Sequence, residues 1–375
     1  LSIITAALLF DEVDKVRELL CNTDVERAQY ALTKPKKSAL DFALLLSPGA
    51  DELLPAMADE AHRITTERFG KTMQLYAPLY LSNLCVGNCP YCGFSKDIDI
   101  PRRSLTLPEI IKETVLLRES GMKSILLVAG DDPRYVNVTF LQEAVAAVRR
   151  IVPSVSVEVA PLTADGYRAV GKAGADGVTL YQETYDRELY ARLHDKGPKR
   201  DYDNRLEALS RAGEVNFCKL NVGALWGLSE WRTEALCLGI HAATLEKAFW
   251  RSHISVGLPR LSAVPDSFSI PHPVDDRAFV HIITALRLFL NDAGLVLSTR
   301  ENATLRSRLM HLGITQMSAG SCTKPGGYGD KSDAGEQFEV SDTRTPMEVA
   351  ASLEAAGFEP VWKNWDTVFS GGVGE

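Results

Sequence analysis

Between residues 73 and 318 the chain passes eight times from a short β-prone run into an amphipathic or polar stretch. The runs are MQLYAPLYL (73–81), SILLVA (124–129), SVSVEVA (154–160), GVTLY (177–181), FCKLNV (217–222), HISVGL (253–258), GLVLST (294–299) and ITQMS (314–318). Each is short and rich in apolar and β-branched side chains, as strands buried on both faces are. Between them lie segments with apolar residues at helical spacing, such as LTLPEIIKETVLLRESG, DNRLEALSRAG and DRAFVHIITALRLFLNDAG, many stopped by glycine. This alternation predicts a parallel sheet covered by helices, and eight repeats predict an α/β fold of the (β/α)8 TIM-barrel type. An open doubly wound sheet is the alternative. The barrel is preferred because a polar or glycine-rich segment follows every run at its carboxyl end, the rim where barrels carry their chemistry.

Helical periodicity without strand signal predicts an N-terminal helical extension over residues 1–70. The barrel is expected over 71–320, and a barrel-flanking segment with one helix, TPMEVAASLEAAG, over 321–375. With 45% apolar and 24% charged residues, the 375-residue chain can bury a full core. It has no apolar run of membrane-spanning length, and its net charge of -8 disfavours a nucleic-acid surface, so neither membrane nor nucleic acid is expected as a partner. The first residues carry neither a basic start nor a small-residue cleavage site, so a cytoplasmic location is expected. Seven cysteines in a reducing compartment point to metal or catalytic use rather than disulfides.

Cys85, Cys89 and Cys92 fall within CVGNCPYCGF, directly after the first run, spaced C-x3-C-x2-C. No second CxxC or HxxxH pair stands nearby to complete a tetrahedral zinc site. Iron–sulfur clusters take thiolates from short irregular loops, and three thiolates leave one iron of a 4Fe-4S cube open. Cys21, Cys218 and Cys237 read as small packed hydrophobes. The loop resembles that of the radical S-adenosylmethionine superfamily. That resemblance implies a 4Fe-4S cluster whose open iron binds S-adenosylmethionine, and a 5'-deoxyadenosyl radical released from it by an electron. It also implies that Tyr91 lies by the bound cofactor and that Gly130 and Asp131 of AGDDP face its methionyl part. Glu183 is then expected at its ribose or amine and Arg205 at its carboxylate, with Gly223 and Gly227 giving the adenine close access to the backbone.

YQETY, GALWGLSEWR, PRL, LSTRE, SAGS-x-T-x-PGGY, QFEVSDTRTPMEV and VWKNWD together resemble the 2-iminoacetate synthase family over most of the chain. This implies a carbon–carbon lyase that cleaves the Cα–Cβ bond of L-tyrosine to 2-iminoacetate and p-cresol. It implies a thiazole synthase partner in thiamine biosynthesis and an electron donor of the flavodoxin or ferredoxin type. Arg300, Ser318, Ser321 and Thr323 are the candidates for clamping the substrate carboxylate; Cys322 departs from the Arg or Lys expected within SAGSCT. The tyrosine lyase of hydrogenase maturation is a rival that needs a C-terminal cysteine set, and no cysteine follows Cys322. A tryptophan lyase fits QFEVSDTRTP and KNWD less well. A zinc-stabilised binding module or an electron carrier would differ in metal content.

Overall fold

In the computed structural model, which describes residues 6–262, 264–329 and 332–362, all eight runs are strands. They are β1 (Thr72–Ser82), β2 (Ser124–Ala129), β3 (Ser154–Glu158), β4 (Gly177–Glu183), β5 (Lys219–Ala224), β6 (His253–Gly257), β7 (Gly294–Leu297) and β8 (Gln316–Ser318). Each pairs in parallel with the next, and β1 pairs with both β2 and β8, so the sheet closes into a barrel rather than staying open. Helices pack between successive strands and against the barrel wall. A capping box between Thr106 and Glu109 starts the helix Leu107–Glu119, and the Asp275 carboxylate starts Asp276–Phe289. The helices Val138–Arg149, Ala164–Lys172, Arg187–Leu193, Trp231–Ala248 and Ala303–Leu309 complete the alternation. The stretch DNRLEALSRAG is not one helix: it divides into Tyr202–Leu206 and Ala208–Glu214, where Arg205 turns inward and is buried.

Ahead of β1 stand the helices Ala6–Asp14, Val25–Thr33, Ala39–Leu46 and Leu54–Phe69. The third, ALDFALLL, is apolar nearly all round because it is wedged between two barrel helices. Phe42 stacks flat on Phe289 at 4.4 Å, and a Cβ at Gly239 would lie 2.3 Å from the Phe42 ring, so that glycine lets the two helices meet. Among the described residues no helix is long and apolar enough to cross a membrane.

Beyond the barrel, the helix Pro346–Ala355 leads into a ninth strand, β9 (Glu359–Val361), paired in parallel with the first residues of β1. The sequence reading has only a helix and a short tail here, since three residues carry no readable period. Lys363–Asp366 of VWKNWD lie outside the described residues. Two register slips matter for the site: β1 on β2 between Tyr80 and Ser82, and β4 on β5 between Tyr181 and Glu183. Both sit at the carboxyl ends of their strands, where a bulge re-aims the chain over the barrel mouth.

Candidate active site

The cysteine loop has no regular structure of its own, so its shape comes from backbone groups being satisfied elsewhere. Arg102 is the main staple: its guanidinium donates to the carbonyls of Asn83 (2.8 Å), Phe94 (2.9 Å), Ser95 (2.6 Å) and Ile98 (2.8 Å). Val86 N donates to the Asp131 carbonyl at 3.2 Å, tying the loop to the turn after β2. Gly130 stands at that crossing, where a Cβ would fall 2.4 Å from the Leu84 carbonyl oxygen. The amides of Gly87 and Phe94 donate to the sulfurs of Cys85 and Cys92, each at 3.4 Å. Burial pushes all three thiols up, Cys89 to about 12, while the charge of Lys199 draws Cys89 and Cys92 back down.

Cys85, Cys89 and Cys92 line one cavity of about 600 Å³ together with Gly130, Asp131, Glu158, Glu183, Lys199 and Arg205. Glu183 holds a left-handed backbone (φ +70°), strained for a side chain with a Cβ. It is fixed there by charge: Lys199 Nζ (2.7 Å) and Arg205 Nη2 (3.2 Å) donate to the same oxygen, Oε1. Burial alone would raise the Glu183 carboxyl, but those two cations outweigh it and hold it at about 2. Arg205 Nε also donates to the Tyr181 carbonyl at 2.6 Å, which pins the bulged end of β4. Within this group one anion engages two cations, and the Asp131 and Glu158 carboxyls line the same cavity.

Tyr91, between Cys89 and Cys92 in the chain, lines the adjoining cavity. Its hydroxyl is 2.6 Å from His194 Nε2, and His194 Nδ1 is 2.9 Å from the Tyr190 carbonyl, which can only accept. The proton of the imidazole therefore sits on Nδ1, and Tyr91 donates to Nε2. Burial and the nearby Lys199 push His194 down to about 3, which keeps it neutral and able to accept.

A second cavity, of about 800 Å³, occupies the barrel mouth and shares Cys92, Val128, Glu158, Glu183, Lys199 and Gln337 with the first. Tyr76, Tyr80, Tyr91 and Tyr181 supply aromatic walls, and Arg300 and Ser321 supply polar ones. A strap from the C-terminal segment covers it. Gly93 N donates to the Gln337 carbonyl (3.0 Å), Gln337 N to the Thr323 carbonyl (3.0 Å), and the Tyr80 hydroxyl to Gln337 Oε1 (2.6 Å). The Arg300 guanidinium lies 3.5 Å from the centre of the Phe338 ring, has no carboxylate partner among the described residues, and is lowered in pKa by burial. Ser321 Oγ is buried with no hydrogen-bond partner.

Of the residues singled out from sequence, the structure thus brings Cys85, Cys89, Cys92, Tyr91, Gly130, Asp131, Glu183, Arg205, Arg300, Ser318 and Ser321 to these two adjoining cavities. It does not bring Thr323, whose hydroxyl donates to the Phe338 carbonyl at 2.7 Å and so anchors the strap. Gly223 does not face open space either: a Cβ there would lie 2.4 Å from the Tyr181 ring, so the glycine makes room for that tyrosine. Gly227 (φ +118°) serves a turn against Leu261 and Ile270. No spacing marks Lys199, His194 and Arg102 in the sequence, whereas Gln337 and Phe338 open the quoted segment QFEVSDTRTPMEV without an assigned role. Glu158 did carry a signal, a lone acid near the end of the apolar run SVSVEV.

Among the described residues no three His, Cys, Asp or Glu side chains converge so as to hold a single metal ion. The three thiols are instead spread around the wall of one cavity, which suits a group of several irons that each take one thiolate. A zinc site would need convergence on one point. The Lys199 and Arg205 cations beside them suit a carboxylate-bearing ligand.

Residues 79–235 match the Radical SAM superfamily and residues 258–359 match the Biotin and Thiamin Synthesis associated domain. The chain is 41% identical over 345 residues to a 2-iminoacetate synthase of Escherichia coli strain K12, covering 92% of this chain and 91% of that one. It is 40% identical, over the same shares, to a 2-iminoacetate synthase of Salmonella typhimurium. Among solved structures, HydG, described as a maturase of the [FeFe]-hydrogenase, superposes with a TM-score of 0.86 at 32% identity, over 95% of this chain and 80% of that one.

Proposed function

Because the chain belongs to the 2-iminoacetate synthase family within the radical SAM superfamily, we propose that it cleaves the Cα–Cβ bond of L-tyrosine to 2-iminoacetate and p-cresol. It is a radical SAM enzyme, and its cofactors are a 4Fe-4S cluster and S-adenosylmethionine. Bound together, these supply a 5'-deoxyadenosyl radical, an acceptor for a hydrogen atom of the substrate. Everything else falls to the chain's own residues.

In this reading Cys85, Cys89 and Cys92 hold the cluster. The Arg205 and Lys199 cations, which share the single carboxylate of Glu183, take the methionyl carboxylate of S-adenosylmethionine. Tyr91, made rigid by its bond to His194, walls that ligand off from the substrate cavity. Arg300 and Ser321 take the carboxylate of tyrosine, since one is a cavity-lining cation without a carboxylate among the described residues and the other a buried hydroxyl without a partner. The ring of the substrate packs among Tyr76, Tyr80 and Tyr181. Gln337 and Phe338 of the strap line the mouth, and covering it limits the access of water and oxidants to the radical. The division near residues 70 and 320 then has a meaning: the barrel holds the chemistry and the C-terminal segment closes it. We assign the imine's onward transfer to a thiazole synthase and the electron supply to a flavodoxin- or ferredoxin-type donor, the former supported by the match to the Biotin and Thiamin Synthesis associated domain.

The observation that carries this reading is the junction of a three-thiol cavity with an arginine-bearing, tyrosine-walled one. The test is anoxic incubation of the cluster-loaded, reduced protein with S-adenosylmethionine and tyrosine. Deoxyadenosine, p-cresol and glyoxylate, the hydrolysis product of 2-iminoacetate, are expected in parallel. Deoxyadenosine without p-cresol would reject the lyase reading.

A further inference from the structure

Glu158 ends β3 at the boundary of the two cavities and lines both. It makes no hydrogen bond and no ion pair among the described residues, although an inward carboxyl is expected to have partners. Its setting explains why this matters. The phenols of Tyr76, Tyr80 and Tyr181, the carboxylate of Glu183 and the cations Lys199, Arg205 and Arg300 all bear on it. Yet Lys199 and Arg205 are already engaged by Glu183, and Arg300 is stacked on Phe338. Burial, reinforced by Glu183, pushes the Glu158 carboxyl up to about 7. The cavity therefore presents one acid and one guanidinium, neither paired with an opposite charge.

An α-amino acid head group carries a carboxylate and an ammonium on one carbon. Arg300 complements the first. We propose that Glu158 binds the ammonium group of the substrate and so makes this site specific for an amino acid rather than for an aromatic carboxylic acid. The inference rests on the tyrosine reading above and adds to it the residue that recognises the amine. Placing that contact at the boundary also sets the nitrogen towards the cofactor cavity and the ring towards the tyrosine walls. The positive charge of the ligand is the counter-ion that returns Glu158 to its carboxylate form.

The experiment compares two ligands that differ only in the amino group, L-tyrosine and 3-(4-hydroxyphenyl)propanoate. Binding of each to the cluster-loaded, unreduced protein with S-adenosylmethionine is measured by calorimetry, so no turnover enters. Wild-type protein should prefer tyrosine. Glu158→Gln should lose ~10- to 100-fold in tyrosine affinity, the scale of one charge-assisted contact, and hold 3-(4-hydroxyphenyl)propanoate within about twofold. Retained binding of the second ligand also shows that the variant is folded. Glu158→Asp, which keeps the charge, should retain part of the preference. Equal losses for both ligands would overturn the assignment. So would a variant that keeps its preference for tyrosine but binds S-adenosylmethionine more weakly, which would put the carboxyl on the cofactor. Wild-type protein that binds neither ligand would instead remove the tyrosine reading, and this inference with it.

Discussion

Replacing Glu183 by glutamine removes one charge from a largely buried ionic group while keeping the side chain's size and its left-handed backbone. Glu183, Lys199 and Arg205 are 9%, 15% and 7% exposed at their side chains, so solvent screens them little. A carboxyl held at about 2 rather than about 4.5 contributes ~3 kcal/mol at neutral pH, at about 1.4 kcal/mol per pH unit. The cost of leaving a buried charge without its partner is of the same size, ~3 to 5 kcal/mol. Glu183→Gln should therefore lower the unfolding free energy of the cofactor-free protein by ~3 to 5 kcal/mol, read by urea unfolding at pH 7 from tryptophan fluorescence. The pH dependence gives an independent check. The folded pKa lies below the unfolded one, so the contribution is complete above about pH 4.5 and disappears as the pH falls towards about 2. Wild-type stability should fall through that window with a contribution of up to about 1.4 kcal/mol per pH unit from this group, and the variant should lack it. A loss below ~1 kcal/mol, the level of an exposed pair, or an unchanged acid limb would refute the argument.

Cys89→Ala should fold yet lose cluster iron, about four per chain in the wild type, because the barrel core does not include the loop; full iron content would reject the ligand assignment. Arg300→Ala should abolish p-cresol formation while slow deoxyadenosine release continues, and product analysis separates the two. Gly130→Ala puts a Cβ 2.4 Å from the Leu84 carbonyl oxygen, so ~1 to 3 kcal/mol of stability and much of the iron uptake should be lost together, measured by unfolding and iron assay. Asp342→Asn should cost ~3 to 5 kcal/mol in urea unfolding, because it weakens a fully buried pair with Arg306, itself 1% exposed, and a 2.6 Å bond from Arg344.

Periodicity was enough for the barrel. Runs such as SILLVA carry apolar side chains at consecutive positions, Ile125 to Ala129, which a sheet covered on both sides accommodates, and eight such runs leave closure as the natural arrangement. The three thiols were legible for a different reason: they act through a short loop, so their spacing in sequence is their spacing in space. Glu183 and Arg205 could be named from family-like segments, but their contact through a shared oxygen with Lys199 could not. It depends on a bulge in β4 and on a broken helix, neither of which has a period. Thr323, Gly223 and Gly227 show the converse, since a residue type that suits a role in sequence is used in the fold for a strap, a tyrosine ring and a turn. Sequence by itself determined which elements form and which loop carries the thiols, because those follow from local pattern. Only the tertiary structure decided which charges are satisfied and which are not, because pairing in one cavity depends on side chains at the ends of β3, β4 and β7 and on the C-terminal strap, so that Glu158 and Phe338, 180 positions apart, line the same space.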